Sequence, residues 1–131
     1  MSSIFTKIVQ GEIPSYKIVE DDRFYAFLDI RPIQRGHTLV IPKREVDYLF
    51  DLPAEEVGAL FMFAQRVALA IEQVVPCKRV GVAVLGMEVP HAHIHLVPLT
   101  HERDLNFSAP AYAMTPEAFT ELAQQISNAF N

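Results

Sequence analysis

The chain has 131 residues, half of them hydrophobic, which suits one domain with a core of its own. A formal net charge of −5 argues against a general nucleic-acid-binding surface. No apolar run suggests a membrane span and no basic-then-apolar leader stands at the N-terminus. One cysteine, Cys77, cannot form an internal disulfide, so a reducing, cytoplasmic location is expected.

Ser3 is placed to cap a helix from Ile4 to about Gln10, ended by Gly11, with Ile4, Phe5 and Ile8 on its apolar face. Tyr16 to Glu20 and Arg23 to Ile30 read as two strands joined by a hairpin turn at Asp21-Asp22. In the second, Phe24, Ala26 and Leu28 alternate with Tyr25, Phe27 and Asp29. Asp29 closes that strand. An aspartate there most often makes a turn, although a carboxylate also suits a vicinal diol such as ribose. Arg31 to Gly36 is a loop. His37 opens a third strand that runs to Pro42, facing either a site or solvent.

Val46 to Asp51 reads as one or two helical turns. The longest element is a helix from Ala54 to about Val75, with apolar residues at helical spacing and Pro53, Glu55 and Glu56 at its start. Phe61, Met62 and Phe63 are read as core and packing residues. Pro76 ends the helix. Arg79 to Leu85 is a fourth strand, where Gly81 and Ala83 leave room for close packing. Cys77 is a small, partly buried residue rather than a nucleophile. Thr100 to Pro110 is polar and irregular. Thr115-Pro116-Glu117 starts a last helix to about Phe130, whose apolar residues Phe119, Leu122, Ile126 and Phe130 dock on the domain or on a partner chain. The expected class is α+β: about five strands in a mostly antiparallel sheet, one long helix and a C-terminal helix.

The chemistry concentrates in His91-Ala92-His93-Ile94-His95-Leu96-Val97, which holds three of the five histidines at every second position. On a strand the three imidazoles share one face, and Ala92, Ile94 and Leu96 share the other. Pro90 and Pro98 fit its ends. Such a row is a solvated face, a metal site or a phosphate site. For a metal, the outer pair sits roughly 13 Å apart at a rise of about 3.3 Å per residue, so another ligand would have to come from His37, His101 or Glu88. For phosphate chemistry, one neutral imidazole attacks phosphorus while its neighbours hold phosphoryl oxygens and protonate the leaving group. The phosphate reading is favoured and needs no metal.

The histidine stretch resembles the His-φ-His-φ-His-φ-φ motif (φ apolar) of the histidine triad, or HIT, family. Ile4 to Pro14, Ala26 to Ile30 and Gly36 to Lys43 resemble three further blocks of that family, in order and spacing. The resemblance implies a single HIT-like domain over residues 1–131, a homodimer with a continuous sheet, a purine-nucleotide substrate and no cofactor. It implies His93 as a nucleophile that forms a covalent nucleotidyl-histidine, with His95 and His37 on the phosphate and His91 orienting His93. Asp29 would hold the ribose hydroxyls, and Phe5, Phe27 and Ile30 would line the base pocket. The branch with the nearest look is the small purine-nucleotide phosphoramidate hydrolases, which cleave a phosphorus–nitrogen bond to AMP. Dinucleoside polyphosphate hydrolysis, or nucleotide binding without turnover, are the alternatives.

Two departures from the family pattern carry expectations. The loop before the triad is short, with Met87 and Glu88 where glutamine and serine or threonine are usual and Leu85 near the place of an asparagine; Glu88 is expected to favour a cationic leaving group. Some bacterial members hold structural zinc through N-terminal cysteines. Here Ser3 and Thr6 stand instead, with Glu45 where a further histidine is common, so no structural zinc is expected.

Overall fold

A computed structural model describes residues 2–131. Strands β1 (Lys17–Glu20), β2 (Phe24–Leu28), β3 (Thr38–Pro42), β4 (Arg79–Ala83) and β5 (Ile94–Leu99) form one antiparallel sheet in the order β1-β2-β3-β5-β4. Three helices accompany it: α1 (Ile4–Val9), α2 (Ala54–Val74) and α3 (Pro116–Ala129). The α+β class read from the sequence is the class observed.

The period of two in β2 splits its side chains between two cores. Phe24, Ala26 and Leu28 join the large core with Leu60, Phe63 and Val67 of α2 and Leu122 and Ile126 of α3. Tyr25 and Phe27 join Leu39, Ile41, Phe5 and Ile8 in a smaller core on the opposite face. A six-residue helix such as α1 is marginal alone. It is held by burial of Phe5 and Ile8 and by its cap, where Ser3 Oγ accepts the Thr6 amide at 3.0 Å. Ile4, expected on the apolar face, is exposed.

The histidine strand begins later than its pattern suggests. β5 starts at Ile94, so His91 and His93 precede it. The ladder between β3 and β5 pairs Thr38 to Val40 with Leu96 to Ile94 and then stops. The next partner, Pro42, has no N–H to donate, and the Ala92 amide turns instead to the Val46 carbonyl at 2.7 Å. Pro98, placed at the strand end by sequence, lies inside β5 opposite Val80. The alternation itself holds, because Ala92, Ile94 and Leu96 all enter the large core.

The other differences concern helices. Between Val46 and Asp51 only a short 3₁₀ turn forms, at Leu49–Asp51. Phe61 and Met62, read as core, are exposed; Phe63 is buried. By length and composition alone α2 could cross a bilayer, but in the fold one face of it packs on the sheet and α3. α3 docks on the chain's own core, and Phe130 follows it, 5.8 Å from Phe63 with the Arg66 guanidinium over its ring.

Candidate active site

The site is assembled along the antiparallel pairing of β3 with the first half of β5 and the residues just before it. Gly36 delivers His37 to it. Its φ of +95° lies in the region that favours glycine, and a Cβ there would stand 3.0 Å from Val75 Cγ2 and 3.1 Å from Pro98 Cγ. The four histidines His37, His91, His93 and His95 are all at least nine-tenths buried. A solvated face of imidazoles is therefore not what the motif forms.

The hydrogen bonds fix the proton positions, because a carbonyl can only accept and an amide N–H can only donate. His93 Nδ1 lies 2.7 Å from the His91 carbonyl, so Nδ1 carries the proton and the neutral ring keeps its lone pair on Nε2. His91 Nε2 donates to the Pro42 carbonyl at 2.7 Å, which leaves its Nδ1 to accept from the Ser3 hydroxyl at 2.8 Å. His37 Nδ1 accepts the Ile33 amide at 3.1 Å, so its Nε2 carries the proton and donates to His95 Nδ1 at 3.0 Å. His95 then holds its own proton on Nε2. Among the described residues every side-chain nitrogen or oxygen that is wholly shut off from solvent has a partner, whereas Nε2 of His93 and Nε2 of His95, at the edge of the site, bond to no protein group. These two Nε2 atoms are thus open to a ligand, one as a lone pair and one as a donor.

Burial pushes the pKa of His37 and of His91 below the ordinary histidine value. Burial, then the neighbouring His93 and His37, pushes His95 down to about 3. These three rings are neutral near pH 7 in the free protein. The His93 and His95 rings are 4.9 Å apart between centroids.

Around the rings stand the other residues singled out in the sequence. Phe5 packs edge-on against His93 at 5.1 Å, His91 at 5.8 Å and Phe27 at 5.6 Å. Asp29 serves two purposes: Oδ1 accepts the Arg31 amide at 2.9 Å, which makes the turn, and Oδ2 is left 3.6 Å from His37 Nε2. Ile30 is exposed. His101 is exposed and stands at the N-cap of a 3₁₀ turn (Glu102–Asp104). Glu88 is exposed and does not line the cavity of about 470 Å³ beside His93. The acid on that cavity wall is Asp47, in the company of Tyr48, Phe50, Phe61 and Met87. Sequence reading also missed Phe107, whose ring lies 4.8 Å from His95 and 6.1 Å from His37. An aromatic in the polar stretch from Thr100 to Pro110 was its only signal.

Two donor sets invite a metal, and neither fits one. Ligand atoms of Asp29, His37 and His95 lie within 4.8 Å of one another. Yet the Ile33 amide occupies His37 Nδ1, so Nε2 must be the protonated nitrogen and has no lone pair for an ion. The cluster is built for a proton. At the N-terminus, Ser3, Thr6, Glu45 and His91 offer hydroxyls and one carboxylate where zinc sites use thiolates and imidazoles, and they are already bonded to one another.

Comparison with known proteins identifies the family. The HIT domain model matches residues 10–102. An adenosine 5'-monophosphoramidase of Schizosaccharomyces pombe is 35% identical over 131 residues, covering 98% of each chain. A HIT-like protein involved in cell-cycle regulation from Bartonella henselae superposes with a TM-score of 0.84 at 30% identity, over 98% of this chain and 97% of that one. A zinc-bound histidine triad family protein from Mycobacterium smegmatis gives 0.79 at 33% identity, over 98% and 93%. With the family model matching residues 10–102, and a relative 35% identical along nearly the whole of both chains, the chain belongs to the HIT family.

Proposed function

We propose that the protein hydrolyses a phosphoramidate of a purine nucleotide, releasing AMP and an amine through a covalent intermediate on His93. The observation that carries this is the 2.7 Å bond from His93 Nδ1–H to the His91 carbonyl, which leaves the Nε2 lone pair free to attack. The phosphoramidase relative supports the substrate class.

In the first step His93 Nε2 bonds to the α-phosphorus as the phosphorus–nitrogen bond breaks. The departing amine needs a proton. Solvent supplies that proton, while the neutral His95 keeps its Nε2–H as a donor to a phosphoryl oxygen. In the second step water attacks phosphorus, the bond to His93 breaks, and the proton lost by the water returns to solvent. His37 keeps the His95 Nδ1 lone pair engaged throughout, so His95 acts from Nε2. Asp29 takes the ribose hydroxyls, and Phe5, Phe27 and Ile30 border the base. The leaving amine enters the cavity walled by Asp47 and the aromatic residues beside His93.

We also propose a homodimer. β4 pairs only with β5, leaving its outer edge open, and Val82, Leu85, Phe61, Met62 and Leu69 expose apolar surface on β4, the segment after it and α2. An open apolar edge invites pairing, and a second β4 would cover it and continue the sheet.

The test is AMP release from adenosine phosphoramidate, with and without EDTA, by wild type and His93→Ala. Chelator-insensitive turnover that vanishes in the variant is the expected result. No wild-type turnover with AMP still bound would overturn the enzyme reading in favour of a nucleotide-binding protein.

A further inference from the structure

The reaction proposed above uses His93 and its bond to His91, but not what holds His91. On the side of His91 away from His93 is a closed polar network linking α1 to the segment after β3. Glu45 Oε1 accepts the Ser3 amide at 2.7 Å and the Thr6 hydroxyl at 2.6 Å. With the Thr6 proton committed to Glu45, the Ser3 hydroxyl accepts the Thr6 amide at 3.0 Å and donates to His91 Nδ1 at 2.8 Å. His91 completes the chain by donating from Nε2 to the Pro42 carbonyl. Every donor is matched to an acceptor, and only one arrangement of protons on His91 satisfies both its ring bonds.

We propose that Ser3 and Glu45 are positioning residues for the nucleophile: Ser3, fixed by Glu45, holds His91 at Nδ1 while the Pro42 carbonyl holds it at Nε2, and together they keep the His91 main-chain carbonyl on His93 Nδ1. The physical case rests on burial. His91 is fully buried and Ser3 nearly so, and the other hydroxyl near His91 Nδ1, Thr6 Oγ1 at 3.4 Å, is committed to Glu45 at 2.6 Å. A buried imidazole nitrogen without a partner costs about 1–3 kcal/mol, which the ring avoids by changing tautomer or rotating. Either motion releases the Pro42 carbonyl, moves the His91 main chain and lets His93 populate the tautomer whose Nε2 is protonated. That tautomer has no lone pair facing phosphorus. Glu45 acts one bond further out. It is exposed, and its role is to fix both the Ser3 backbone and the direction of the Thr6 hydroxyl. A short N-terminal helix thereby becomes part of the reaction centre without touching substrate.

The test reads tautomers and turnover together. Imidazole ¹⁵N shifts of His91 and His93 are recorded for wild type, Ser3→Ala, Ser3→Thr and Glu45→Ala, with kcat and KM for adenosine phosphoramidate. Wild type is expected to show His93 protonated at Nδ1 and His91 at Nε2. Ser3→Ala should mix the two His93 tautomers and lower kcat by about tenfold with KM little changed, the equivalent of one buried bond. Ser3→Thr, which keeps the hydroxyl, should restore both readouts. Glu45→Ala, on the surface and so safe for folding, should shift the same resonances in the same direction by less. Unchanged His91 and His93 shifts in both Ser3→Ala and Glu45→Ala would overturn the proposal, even if thermal stability falls. If Ser3→Ala does not fold, Glu45→Ala alone decides. The shifts need no turnover, so a wild type inactive on this substrate overturns the phosphoramidate reading and leaves the positioning proposal to the spectra.

Discussion

His37 Nε2 stands 3.0 Å from His95 Nδ1, and the Ile33 amide behind His37 makes that contact directional: the proton belongs to His37 and the lone pair to His95. Two buried imidazoles are thus held neutral and in single tautomers by one backbone amide. The arrangement has a pH signature. Burial, then the neighbouring His93 and His37, pushes His95 down to about 3 in the folded chain, against an ordinary value of 6.5. Between those values the unfolded chain binds a proton that the folded chain refuses, so stability is full above pH 6.5 and is lost as pH falls toward 3. His37 and His91, also lowered by burial, act in the same direction. The melting temperature should therefore fall between pH 7 and pH 4, and His95→Asn should fall less steeply over that window. Equal slopes would show that His95 is not buried neutral.

Gly36→Ala should be costly although it adds one methyl group. The backbone at φ +95° disfavours any Cβ, and the new atom would press on Val75 and Pro98. Strain of this kind costs about 1–3 kcal/mol. Urea unfolding should show a loss in that range. Activity of the folded fraction should also drop, because His37 is the next residue. A change within experimental error would mean that the loop can relax, and that Gly36 does not set the position of His37.

How far the sequence foretold this site can be judged residue by residue. The alternation in His91 to Leu96 was legible because a period of two survives even where regular pairing ends. The start of β5 was not, since it depends on Pro42, a residue of another strand. The turn at Asp29 was legible and forms through Oδ1, but the approach of Oδ2 to His37 had no local signal, because it depends on how the loop between them folds back. Ser3 was legible as a helix cap, but its hydroxyl bond to His91 spans eighty-eight positions and has no local signal. Phe61 sits at the helical spacing read for the core and Met62 lies beside it, and apolar character alone does not say whether the chain's own core or another surface takes them.

Asp29 offers a specificity test. Its Oδ1 is committed to the Arg31 amide, so Oδ2 is the oxygen available to a sugar hydroxyl. A carboxylate bond to a hydroxyl is worth roughly 1.5–3 kcal/mol, so wild type should prefer a ribonucleotide phosphoramidate over its 2'-deoxy counterpart by about tenfold or more in kcat/KM. Asp29→Ala should abolish the preference by slowing the ribonucleotide alone. A preference that survives the substitution would place ribose recognition elsewhere.

The open edge of β4 makes the last prediction. Val82 is half exposed at the middle of that strand, and Met62 is more exposed still on α2. If two copies pair through β4, both residues are buried in the pair, and a charge at either site must be desolvated without a partner. Light scattering should then show a wild-type dimer at micromolar concentration and a monomer for Val82→Lys with Met62→Lys. The double variant should remain folded, since neither side chain belongs to the buried core of the single chain. Its effect on turnover carries further information. Phe61, next to Met62, also lines the cavity beside His93. A monomer that binds AMP normally but turns over slowly would indicate that the second copy shapes the leaving-group side of the site. A wild type that is already monomeric would leave the apolar face of β4 and α2 to some other partner and remove the continuous sheet from the account.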